Sequence, residues 1–122
     1  QTFYVQNENT KFASLTLHLK KIPDSQTSIG NLSFIYSKKE YSFSFGIGFM
    51  ETGFFPIYNL YYAASGAWLT DGTLHIKVHI IDSYVGSIHF QFSFGHNDLV
   101  LFMRKQEESL FQEFTGHLYC TI

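Results

Sequence analysis

Cysteine is nearly absent, with Cys120 the single one in a chain of 122 residues. One thiol excludes an intrachain disulfide, and it has no Cys-x-x-Cys context for redox or metal chemistry. Proline is scarce too, at two residues. Charge is low: charged residues make up 15%, and eight Lys and Arg against ten Asp and Glu leave a net charge of −2. That balance offers no basic field for phosphates, which argues against a nucleic-acid binder. The doublets Lys20-Lys21 and Lys38-Lys39 are read as solvated strand ends or turns. No apolar run approaches the length of about 20 residues that spans a bilayer as a helix, and no signal peptide is visible. The chain begins at Gln1 rather than Met, and it is expected to be a fragment of a longer protein or a processed product.

What is abundant is aromatic. Hydrophobic residues make up 45% of the chain and aromatics 19%, with 14 Phe and 8 Tyr. That composition points away from disorder and suits pleated sheet surfaces. The length fits one domain over residues 1–122. It is enough to bury roughly two-thirds of the unfolded surface without staples.

Period-two alternation runs through the sequence and marks strands with one buried face. In Tyr41 to Phe49, the residues Tyr41, Phe43, Phe45, Ile47 and Phe49 share one side. Ser42, Ser44, Gly46 and Gly48 share the other. Leu74, Ile76, Val78 and Ile80 alternate with His75, Lys77 and His79. Ile88, Phe90, Phe92 and Phe94 alternate with Ser87, His89, Gln91 and Ser93. Shorter runs are Leu15, Leu17 and Leu19; Leu32, Phe34 and Tyr36; Leu99, Leu101 and Met103; and the segment Phe114 to Cys120. Asp71-Gly72 predicts a tight hairpin with a type I′ turn. Asp82-Ser83-Tyr84 and the stretch 95–98 are short enough to join neighbouring strands. Residues 50–60, with Gly53 and Pro56, read as a longer loop or irregular edge. One helical turn at most is expected, over Gln106 to Phe111. The pattern predicts an all-β fold, an antiparallel up-and-down barrel of about eight strands, because closure removes exposed edges. A two-sheet sandwich is the alternative.

Catalytic motifs are missing. There is no Gly-x-Ser-x-Gly elbow, no Ser-x-x-Lys and no phosphate-cradling glycine loop. Glu107 and Glu108 read as a solvated turn. If the turn at Asp82–Tyr84 pairs the two flanking strands, His79 lies opposite Ser87 and Lys77 opposite His89. His89 is then a diagonal neighbour of His75 and His79. These side chains are read as wet polar residues rather than a metal site, since Lys77 would repel a cation. No cofactor is expected. The rings of Phe43, Phe45, Trp68, Phe90 and Phe92 would line the interior, either as packed core or around one small apolar ligand. Gly66-Ala67-Trp68 matches the short Gly-x-Trp signature of lipocalins, although lipocalins carry it on their first strand. Alternation breaks down around Phe54, Phe55, Tyr58, Tyr61 and Tyr62, which makes them the candidate docking surface.

Longer stretches carry a resemblance. They are Ala63 to Trp68, Leu74 to Gly86, Phe90 to Phe94, Leu101 to Arg104 and Glu113 to Gly116, together with Phe45-Gly-Ile-Gly48 and Gly53-x-Phe-Pro56. The chain resembles the C-terminal domain of bacterial serine β-lactamase-related, penicillin-binding-type hydrolases over roughly residues 40–120. The resemblance implies a lipocalin-like barrel outside the catalytic domain, with the acylating serine and its lysine upstream in the same chain. This chain would then be a non-catalytic accessory domain that packs on the hydrolase or shapes access to its cleft. An extracytoplasmic or cell-envelope address follows by analogy. The alternative is a free-standing binder of a small apolar ligand.

Overall fold

The computed structural model describes residues 1–82, 85–106 and 111–122. Among them there are ten strands and no helix. The strands are β1 (Thr2–Val5), β2 (Phe12–Lys21), β3 (Ser28–Tyr36), β4 (Lys39–Ile47) and β5 (Glu51–Phe55). They continue as β6 (Leu60–Thr70), β7 (Thr73–Ile81), β8 (Val85–Phe94), β9 (Asp98–Lys105) and β10 (Gly116–Thr121). The expected turn residues Ser83 and Tyr84, the pair Glu107 and Glu108, and most of the expected helical turn lie outside the described residues.

Nine strands form a closed ring in the order β4-β3-β2-β1-β10-β9-β8-β7-β6, and β4 returns to β6. Every pairing is antiparallel except that last one, which is parallel at Gly46↔Ser65 and Ile47↔Gly66. A ring with an odd number of strands cannot alternate direction all the way round, so one parallel contact is unavoidable. β5 is the strand left outside. It pairs with β6 over Leu60 to Ala64, immediately before the stretch that β4 takes. The all-β barrel read from the sequence is therefore present, with nine ring strands and one extra; closure excludes the sandwich.

The alternating residues fill the ring. Phe43, Phe45, Leu74, Ile76, Val78, Ile80, Ile88, Phe90, Phe92, Leu99, Leu101 and Met103 are all buried. β2 departs from its pattern: Leu15 is buried and Leu17 partly so, but Leu19 is exposed. The far end of β2 pairs only with the start of β3, and there it overhangs the interior. β4 stops at Ile47 because Gly48 turns the chain at φ 91°, which puts Phe49 outside the strand.

The seam where β4 meets β6 depends on glycine. A Cβ on Gly30 would collide with the Phe45 ring, and one on Gly66 would sit 3.2 Å from it. Phe45 thus lies across the backbones of both neighbouring strands, a place that only residues without side chains leave open. Asp71-Gly72 does join β6 to β7, but neither residue has positive φ. The register shift between Trp68 and Thr70 marks a bulge that takes up the twist. The two left-handed residues expected of a type I′ turn are instead Ser37 and Lys38, at φ 52° and 68°, between β3 and β4.

Candidate functional site

The interior comes first, because five residues were expected to line it. Phe43 lies 5.1 Å from Phe55, 5.5 Å from Phe90 and 5.9 Å from Tyr62, centroid to centroid. Phe114 meets the rings of Phe12, Phe34, Phe55 and Phe90 at 5.4–6.2 Å. These are the separations at which aromatic pairs attract. Phe43, Phe45, Phe90 and Phe92 are thus ring-on-ring core. The sequence pattern puts Phe114 in the last strand, but it precedes β10 in a turn closed by its own N–H on the Phe111 carbonyl (2.9 Å). From that turn it enters the barrel end. Trp68 differs from the other four lining candidates. It is 45% exposed and packs on the flank of Phe94 at 5.9 Å, as the last β6 residue in register before the bulge.

The expected docking surface divides. Phe55 and Tyr62 are core residues. On β5 and β6 they point inward, and the Tyr62 hydroxyl accepts from Ser44 N–H (3.0 Å) and donates to Ser44 C=O (2.8 Å). That hydroxyl satisfies the edge of β4 where β4 has not yet reached β6. Tyr58 is half-buried and accepts from Phe111 N–H at 3.0 Å. Burial, followed by a hydrogen bond to Glu113, pushes its phenol up to about 12. The other Glu113 carboxylate oxygen, Oε1, is buried without a partner. Phe54 and Tyr61 remain on the outside. They are a cross-strand pair, edge to face at 5.8 Å, with Phe54 63% exposed. Met50 and Ile57 are exposed at either end of β5.

A second cluster lies on the outer face of β7, β8 and β9. The register is the one the sequence pattern predicts: His79 opposite Ser87 and Lys77 opposite His89. Arg104 lies opposite His89 on the other side. Ser87 Oγ donates to Gln106 Oε1 at 2.7 Å. With its single proton used there, Ser87 accepts from His89 Nε2 at 3.4 Å. That leaves His89 Nδ1 to accept from His75 Nε2 at 3.0 Å. The ring centres are 5.1 Å apart, close to the most that such a contact allows, so the rings meet edge to edge.

His89 was expected to be wet, yet it is 7% exposed. Burial, then Arg104, His75, Lys77 and His79, push its imidazole down to about 4. His75 is lowered by burial, Arg104 and Lys77 in turn. Both rings are neutral at pH 7. The sequence pattern placed the histidines together but gave no sign of Gln106, whose role depends on β9 ending beside Ser87.

Among the described residues, no group of three or more His, Cys, Asp or Glu side chains is placed to hold a metal. Cys120 is buried, and burial raises its thiol to about 11, so it stays protonated and inert at neutral pH. Comparison with protein-family models, with curated proteins and with solved structures finds no match.

Proposed function

We propose that the chain is a non-catalytic accessory domain that docks through the outer surface of β5 and β6. We further propose that its partner is the catalytic domain of a serine β-lactamase-related hydrolase in the same polypeptide. The observation that carries the docking reading is the position of β5. It stands outside the closed ring, pairs with β6 alone among the described strands, and holds Phe54 in solvent. An unclosed strand with an exposed aromatic is a ready surface for another protein. The identity of the partner rests on the sequence resemblance. Reading the barrel as a binder of a small apolar ligand has less support, since Phe43, Phe55, Phe90 and Phe114 occupy the space such a ligand would need.

The test has two arms. The reading frame that encodes this chain is expected to contain a Ser-x-x-Lys domain upstream. That domain, produced separately, is expected to bind the barrel, and Phe54→Ala to weaken binding by about tenfold. A reading frame without such a domain overturns the partner. Binding unchanged by both Phe54→Ala and Tyr61→Ala overturns the surface.

A further inference from the structure

Lys77, His89 and Arg104 form one row across the outer face of three strands. Neighbouring strands lie about 4.8 Å apart, so the backbones of Lys77 and Arg104 are about 10 Å apart. Two long side chains can meet over the imidazole between them. His75 and His79 flank Lys77 on β7. The charges acting on His89 come from Arg104, His75, Lys77 and His79, and those on His75 from Arg104 and Lys77. No carboxylate of the described residues is among them. A chain of net charge −2 therefore gathers two permanent cations and a nine-tenths-buried imidazole in one patch. Like charges held together with no carboxylate of the described residues acting on them oppose one another, and a bound anion would remove that opposition.

We propose that Lys77 and Arg104 hold a dianionic oxyanion of the phosphate or sulfate type above His89. The two side-chain charges match a dianion. Arg104 offers a planar fork of donors to two oxygens, and Lys77 a mobile point charge. His89 lies beneath as a proton acceptor whose two nitrogens are engaged with His75 and with Ser87. An anion above cancels the field of Arg104 and Lys77, so binding and protonation of His89 favour each other.

Sulfate is the clearest probe, because its charge is constant where histidine titrates. The His89 imidazole is followed by NMR from pH 7 to pH 3.5, in sulfate and in chloride at equal ionic strength. Sulfate is expected to raise the His89 midpoint by about one pH unit or more, which is about tenfold tighter binding to the protonated form. Arg104→Gln and Lys77→Gln are each expected to abolish that rise with the strand amide spectrum unchanged, while Lys39→Gln keeps it. Inorganic phosphate and phosphatidylcholine vesicles containing phosphatidic acid then distinguish a free anion from a lipid headgroup. An equal midpoint in sulfate and chloride, or a rise that survives in both Arg104→Gln and Lys77→Gln, overturns the proposal.

Discussion

His89 is a polar side chain on the outside of a barrel that is nonetheless buried. Its cross-strand neighbours are Lys77 and Arg104, and its ring nitrogens meet His75 and Ser87. Burial removes water, and the cations add repulsion, so the folded protein holds this imidazole neutral down to about 4. The unfolded chain takes up that proton near pH 6.5. Stability is therefore complete above about 6.5 and falls as the pH drops toward 4, because the unfolded state binds the proton first. The full difference corresponds to about 3 kcal/mol. Urea unfolding at pH 7 and pH 4.5 in chloride should show the loss, and His89→Gln should remove most of the slope between them. A wild-type midpoint that is flat across this range would show that His89 titrates normally.

At the scale of elements, the seam between β4 and β6 turns on which residues have no side chain. Gly30 and Gly66 accept the Phe45 ring from either side. Gly30→Ala is expected to cost about 1–3 kcal/mol, since the ring must leave its rotamer or the strands must part. Gly66→Ala should cost less, its Cβ meeting the ring at 3.2 Å. Thermal unfolding of the two variants gives the order, and the reverse order would rule out Gly30 as the tighter contact. Alternation was enough to locate β3, β4, β7, β8 and β9, because their faces differ in polarity. It was blind to β5 and most of β6. Leu60 to Trp68 carries apolar and small residues on both faces, so no polar face marks its outer side. The hairpin at Asp71-Gly72 was legible, but its turn type was not. A bulge near Trp68 supplies the twist that positive φ would otherwise provide.

At the scale of the whole molecule, Phe114 touches more of the ring interior than any strand pattern suggested. It meets the rings of residues from β2, β3, β5 and β8. Phe114→Ala is expected to cost about 3–5 kcal/mol, the range for emptying a large aromatic site. Chemical denaturation measures this, and a loss below about 1 kcal/mol would mean that the barrel end collapses to fill the gap.

The amino-acid sequence by itself determined the strand class, the inward faces and the pairing of His79 with Ser87 and Lys77 with His89. Those features follow from a two-residue period and a short connection, both local properties of the chain. The tertiary structure alone decided the number of strands in the ring, the parallel seam at Gly46 and Ile47, and the exclusion of β5. It alone buried Phe55 and Tyr62 while leaving Trp68 and Phe54 exposed, and set Arg104 opposite His89 on the neighbouring strand. Each of these depends on which strands meet after the ring closes, and closure is a property of the whole sheet that no local pattern encodes.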